Sequence, residues 1–272
     1  MRNKLLWILP VVLVLAVGGW YLLTPNDPRP PVYGVEVVAT TPHDPQAYTE
    51  GLFYQNGAFY ESTGEEGTSG IRKVKPETGE IVTREELPSP YFGEGIVAWK
   101  DQIYELTWKD QKGFIYGLND FSPRGTFDYS GEGWGLTHNG TAIIMSDGTP
   151  TLRFLDPETL AVKSTLTVTA NGCPVANLNE LEWIDGQIYA NIWMTDLIAR
   201  IDPRTGKVTS FLNVAALGPD HAGRDDVANG IAYDPAKKRT FVTGKRWPKM
   251  YEVRVGAKQA VPDEAAVLSG CS

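Results

Sequence analysis

The sequence has little cysteine and little histidine. Only Cys173 and Cys271 are present, far apart and in no CxxC pattern, and the three histidines, His43, His138 and His221, lie near turns without a shared partner. No set of them has the spacing of a zinc site, so the histidines are read as structural and no metal or other cofactor is expected. Runs of lysine and arginine are also absent. With 25 Lys and Arg against 33 Asp and Glu the net charge is -8, which argues against a nucleic-acid partner, since phosphate binding needs clustered cations. Helical periodicity is missing beyond residue 32, which leaves a reading built on strands. Turn chemistry is plentiful, with 28 glycines and 19 prolines in 272 residues.

One long apolar run exists, from Leu5 to Leu23, preceded by Arg2 and Lys4. A basic start before such a run is the pattern of an export signal, and its length approaches the roughly 20 residues that cross a bilayer. Trp20 and Tyr21 fall where interfacial aromatics sit, and no A-x-A cleavage site follows. Residues 1–24 are therefore read as a signal peptide or membrane anchor, the anchor being preferred, and residues 25–32 as a stiff Pro-rich linker. The rest is expected outside the cytoplasm, periplasmic or extracellular, as a monomer held to the membrane if the segment stays uncleaved.

Beyond the linker a pair of short apolar runs joined by a turn recurs five times. The copies are "EGLFYQNGAFYESTG" from Glu50, "EGIVAWKDQIYELTW" from Glu94, "WGLTHNGTAIIMSDG" from Trp134, "NELEWIDGQIYANIW" from Asn179 and "NGIAYDPAKKRTFVTGK" from Asn229. Most are followed by a second hairpin, such as "LRFLDPETLAVKSTLTV" and "IARIDPRTGKVTSFLNV". Four strands in every 40–50 residues is the signature of a β-propeller, and five copies predict five blades over residues 33–255. The fifth copy continues only into "KMYEVRV" (Lys249–Val255) and lacks a fourth strand, while "YGVEVVATTPH" (Tyr33–His43) is a strand without a partner. Joining the two would close the ring and remove two exposed edges. Residues 256–272 are left as a tail.

In such a fold the residue opening each first strand sits at one mouth of the central channel. Here these are Glu50, Glu94, Trp134, Asn179 and Asn229, followed in four cases by a glycine, Gly51, Gly95, Gly135 or Gly230. The glycines are read as clearance near the axis. The second strands end in Trp108, Trp193 and Lys245 on the same side. An aromatic-walled pocket with a few polar groups is the usual make-up of a small-molecule site. Whether Cys173 and Cys271 form a disulfide stays open, because separation in sequence does not fix distance.

"HDPQAYTEGLFY", "YFGEGI", "EGWGLT", "NLNELEWIDGQIYANIW", "IARIDPRTGKV", "NGIAYDP" and "FVTGKRWPK" resemble the plant and bacterial glutaminyl cyclases, or glutamine cyclotransferases, from about Tyr33 to Val255. The resemblance implies a five-bladed propeller that converts an N-terminal glutamine, on a peptide, a protein or as the free amino acid, to pyroglutamate with loss of ammonia. It implies Glu94 as the acid/base carboxylate, Trp108, Trp134 and Trp193 as pocket walls, and Asn179 and Lys245 as polar site residues. Tyr48 and Glu50 stand where plant members usually carry phenylalanine and glutamine. Glu50 is expected either to bind the substrate α-ammonium or to share a proton with Glu94, and Asn229 is expected to contact substrate. Two other readings remain: a propeller hydrolase holding a divalent cation with Glu50, Glu94, Asn179 and Asn229, and a non-catalytic anchored propeller.

Overall fold

Hairpins form at all five predicted turns. Asn56 and Gly57 have φ of 52° and 82°, and Asp185 and Gly186 of 47° and 85°. This is the doubly left-handed turn that Asn-Gly and Asp-Gly favour between twisted strands. The structure, a computed structural model, describes residues 28–220 and 223–271; the N-terminal apolar run and His221 lie outside them. The described fold is all-β, and among the described residues no helix is long and apolar enough to cross a membrane.

β1 (Val32–Pro42) comes first. An antiparallel sheet follows from β2 (Thr49–Gln55), β3 (Ala58–Thr63), β4 (Gly70–Val74) and β5 (Ile81–Glu86). The next comprises β6 (Gly93–Trp99), β7 (Gln102–Thr107), β8 (Lys112–Gly117) and β9 (Pro123–Asp128). The third is shorter: β10 (Leu136–His138), β11 (Ile143–Met145), β12 (Thr151–Leu155) and β13 (Val162–Thr167). After a small ribbon, β14 (Thr169–Ala170) and β15 (Cys173–Pro174), come β16 (Leu178–Ile184), β17 (Gln187–Ile192), β18 (Leu197–Ile201) and β19 (Val208–Asn213). The fifth sheet has β20 (Ala228–Asp234), β21 (Arg239–Gly244) and β22 (Lys249–Gln259), so the strand expected to stop at Val255 runs on to Gln259.

β1 completes this last sheet. It lies antiparallel to β22, from Val32 opposite Gln259 to Pro42 opposite Lys249. Its first residues also pair in parallel with Phe211–Asn213 of β19, which fuses the fourth and fifth sheets into one of eight strands. The tail ends in a short helix, α1 (Asp263–Leu268), and Cys271 beyond it is disulfide-bonded to Cys173 of β15.

The first strands β2, β6, β10, β16 and β20 pack side by side in that order, and β20 returns to β2. Burial falls outward from them. β20 is buried throughout, whereas β5 and β9 are mostly exposed. The core consists of five apolar clusters, one between each neighbouring pair of sheets. Phe53, Ile71, Ile96 and Ile103 join the first two sheets, for example, and Leu52, Phe59, Ala232 and Phe241 join the first to the fifth. The core thus surrounds the axis, and the ends of the first strands are left for polar groups.

Candidate active site

Each polar head is aimed by a local irregularity. The pairing of first and second strands slips between Thr49 and Gly51, Gly93 and Ile96, Leu178 and Leu181, and Ala228 and Ile231. Glu50, Glu94, Asn179 and Asn229 sit at these slips, and a bulge re-aims the side chain it carries. The backbone is then tied across sheets. Ser62 Oγ donates to the Glu94 carbonyl at 2.6 Å, and Ser146 Oγ to the Asn179 carbonyl at 2.7 Å. The Gly230 N–H donates to Asn191 Oδ1 at 3.1 Å.

The glycines after the heads do not clear space for a substrate, contrary to expectation. A Cβ on Gly95 would lie 2.6 Å from Gly135 Cα, and one on Gly135 2.2 Å from the Asn179 carbonyl oxygen. The room of Gly51, Gly95 and Gly135 is filled by the backbone of the next first strand, and that of Gly230 by the Thr243, Thr49 and Leu52 side chains, which lets five strands meet around the axis.

The aromatic wall rests on two other glycines. Gly64 and Gly148 occupy the second-strand position that carries Trp108, Trp193 and Lys245 in the other sheets. A Cβ at Gly64 would meet the Phe92 ring at 2.4 Å, and one at Gly148 the Trp134 ring at 2.6 Å. With those side chains missing, Phe92 and Trp134 pack directly against the backbone at Gly64 and Gly148. Phe92 then meets Tyr48 edge-on at 6.1 Å and Trp108 at 5.7 Å, and Trp134 meets Trp193 edge-on at 5.7 Å. The indole N–H groups of Trp108 and Trp134 both donate to Glu132 Oε2, at 2.8 and 2.9 Å.

These rings enclose a cavity of about 160 Å³, close to the ~150 Å³ that takes a benzene-sized guest. Besides Tyr48, Phe92 and the three tryptophans, Glu50, Glu94, Asn179 and Lys245 line it. Eight of the nine residues expected from sequence therefore converge here. Asn229 does not line the cavity. It lies behind Glu50, with Nδ2 donating to Glu50 Oε2 at 3.1 Å and to the Thr49 carbonyl at 2.9 Å, so it braces Glu50 rather than meeting a substrate. Two site residues escape the sequence reading. Phe92 has a signal, as the aromatic before the "GEG" that opens β6; Glu132 lies in a loop with no repeat position to mark it.

A profile described as glutamine cyclotransferase matches residues 11–255. The chain belongs to the glutamine cyclotransferase family. It is 42% identical to glutaminyl-peptide cyclotransferase of Arabidopsis thaliana over 233 residues, 83% of this chain and 72% of that protein. The crystal structure of Myxococcus xanthus glutaminyl cyclase matches with a TM-score of 0.79 at 34% identity, covering 85% of this chain and 100% of that one.

The charges in this glutamine cyclotransferase chain are sorted by their neighbours. Lys245 Nζ donates to Glu50 Oε1 at 2.7 Å and lies 4.4 Å from the centroid of the Tyr48 ring. Burial works against the Lys245 charge, but Glu50 and Glu94 outweigh it and raise its pKa. Burial pushes the Glu50 carboxyl up, and Lys245 pulls it back. Both Glu50 oxygens are thus engaged, by Lys245 and Asn229, which leaves Glu50 poorly placed to take the α-ammonium or a divalent cation. Among the described residues Glu94 has no such partner. It is 6% exposed, and burial, followed by the charge of Glu50, holds its pKa well above the ordinary carboxylate range despite Lys245. Asn179 Oδ1 is buried without a hydrogen-bond partner, an acceptor left open in a cavity wall.

His43, expected to be structural, is so: its Nε2 lies 2.9 Å from Glu61 Oε1, within a buried network that includes Arg72 and Thr49.

Proposed function

We propose that this chain is a glutaminyl-peptide cyclotransferase that turns an N-terminal glutamine into pyroglutamate and releases ammonia. One observation carries the reading at the site: a buried, unpaired carboxyl of raised pKa, Glu94, beside an open amide acceptor within an indole-walled cavity. In the reaction the α-nitrogen attacks the side-chain amide carbon. A carbon–nitrogen bond forms, the bond to the amide nitrogen breaks, and that nitrogen leaves as ammonia. Nucleophile and electrophile share one molecule, so holding the side chain curled supplies much of the acceleration.

The remaining task is proton transfer. The α-ammonium titrates near about 7.7–8.0, and a carboxylate of ordinary pKa would hardly accept its proton. A raised Glu94 narrows that gap, and the same group then delivers the proton to the departing nitrogen, while the second proton shed by the α-nitrogen passes to water. The free Asn179 Oδ1 suits the amide NH₂. Lys245 spends one of its three donors on Glu50; the others serve the amide oxygen as its charge grows. In this scheme Glu50 and Asn229 act through Lys245, while Tyr48, Trp108, Trp134 and Trp193 fix and desolvate the substrate.

The finer architecture belongs to the same proposal: a five-bladed propeller over residues 33–255, supported by the five sheets whose first strands pack in a cycle. So does export of a monomeric domain, with residues 1–24 as signal or anchor, residues 25–32 as linker and residues 256–272 as tail. The basic, apolar start and the Cys173–Cys271 disulfide support an oxidising compartment.

Incubation of the purified chain with a Gln-initiated dipeptide tests the activity. Ammonia release with the matching mass loss is expected, and should survive chelation, unlike that of a metal-dependent hydrolase. Glu94→Gln should lower kcat by about 10²–10⁴-fold with an unchanged circular dichroism spectrum. Near-normal turnover in that variant would remove Glu94 from the chemistry.

A further inference from the structure

Glu132 lies at the site and the cyclisation scheme does not use it. It precedes Trp134 by two residues, in the loop "SGEGWG" between β9 and β10. One of its carboxylate oxygens receives two indole N–H groups, from Trp108 in the second sheet and Trp134 at the head of the third. The loop is also tied to Trp108 through its backbone, with the Gly133 N–H donating to the Trp108 carbonyl at 3.0 Å. Among the described residues Glu132 has no ion-pair partner, whereas Asp147, next to Gly148, is paired with Arg153. We infer that Glu132 is a positioning residue for the cyclisation, clamping Trp108 and Trp134 at the angle that shapes the cavity and lending the pocket an uncompensated negative charge.

The physical need is plain. Trp108 is 37% exposed; Phe92 and the Lys109 ammonium lie against its ring, but the N–H edge of an indole at a rim has little packing to hold it. A charge-assisted hydrogen bond to each N–H replaces that packing. One acceptor shared by two walls also fixes their distance, which a separate partner for each would not. The charge has a second effect. Glu94 is faced by Glu50, Lys245 and Glu132, and its own charge is felt by Tyr129, whose hydroxyl donates to the Thr107 carbonyl. Glu132 adds to Glu50 in keeping the proton on Glu94, and Lys245 opposes both.

The inference rests on the cyclotransferase reading, and two substitutions in the full chain separate clamp from charge. Glu132→Gln keeps an oxygen acceptor and removes the charge; Glu132→Ala removes both. With a Gln-initiated dipeptide, Glu132→Ala should raise KM by about tenfold, the cost of one or two unmet indole donors. Glu132→Gln should keep KM within about twofold and move the limb of the pH–kcat profile that reports Glu94 to lower pH. The clamp has a readout that needs no turnover: in ¹⁵N–¹H spectra two indole resonances should shift in Glu132→Ala and stay near their wild-type positions in Glu132→Gln. Unshifted indole resonances in Glu132→Ala, or a pH profile of Glu132→Gln that overlays wild type, would overturn the inference. A wild-type chain that releases no ammonia would instead sink the activity reading, and the indole resonances would still decide the clamp.

Discussion

Glu50 and Glu94 head adjacent sheets, and their surroundings separate them. Glu50 is spanned by a lysine and an asparagine amide, while Glu94 feels Lys245 only through its field, against burial and the charges of Glu50 and Glu132. Both pKa values are raised, Glu94's well above the ordinary range, and the proposed cyclisation divides the roles accordingly: Glu50 to hold the Lys245 cation, Glu94 to carry the proton. The buried Glu50–Lys245 pair should behave accordingly. Lys245→Met or Glu50→Gln alone leaves one charge buried and should cost about 3–5 kcal/mol of stability. The double variant should recover most of that in urea unfolding while remaining inactive.

A third carboxyl lies outside the lining of the cavity. Glu105 in β7 is fully buried, neither oxygen has a well-formed hydrogen bond among the described residues, and burial raises its pKa to about 8 against the pull of the Tyr116 hydroxyl. Between an ordinary value of 4.5 and about 8 the folded chain keeps a proton that the unfolded chain has released. Stability from this group therefore falls as pH rises through that window, by up to about 1.4 kcal/mol per pH unit. Urea midpoints at pH 5 and pH 8 should differ less in Glu105→Gln than in wild type; equal differences would show that Glu105 does not hold this proton.

Residue identity was the most legible level of the site. Glu94, Asn179 and Lys245 stand at repeated positions, so their convergence follows from strand count alone. Asn229 stands at the same position and turns under Glu50 instead, because the direction of a side chain at a bulge is not a repeat property. Glu132 is in a loop, and no periodicity could reveal it.

At the scale of elements, the site depends on side chains that are missing. Two kinds of glycine do separate work: Gly51, Gly95 and Gly135 let neighbouring first strands touch, and Gly64 and Gly148 seat the aromatic wall. Gly64→Ala tests the second kind. Its Cβ would sit 2.4 Å from the Phe92 ring and push that ring toward the cavity, raising KM by about tenfold through overpacking with little change in melting temperature. Sequence shows these glycines and their places in the repeat. What they abut is a tertiary fact, which is why clearance for a substrate was a reasonable expectation and an incorrect one. Hairpin turns, by contrast, are local chemistry, and all five were readable from residues such as Asn56-Gly57 and Asp185-Gly186.

For the whole molecule, closure and the tail decide stability. β1 brings the N-terminal end of the fold onto the last sheet, and the disulfide brings the C-terminal end onto β15. The bond spans a sequence separation of 98 residues, so its loss should cost about 2–5 kcal/mol by freeing the unfolded chain. Cys271→Ser should lower the melting temperature accordingly and leave kcat at room temperature unchanged, since neither cysteine lines the cavity. The pairing of β1 with β22 was legible as an unpartnered strand meeting an incomplete sheet; α1 was not, being short and set by its anchoring.

Val32 lies opposite Gln259, so the chain enters and leaves the cycle of sheets at neighbouring points. Nothing in the arrangement of the five first strands marks any one of them as the beginning. The starting point is a property of the gene, and the catalytic ring is a circle that could be cut at another inter-sheet loop and rejoined here with every head residue still in place.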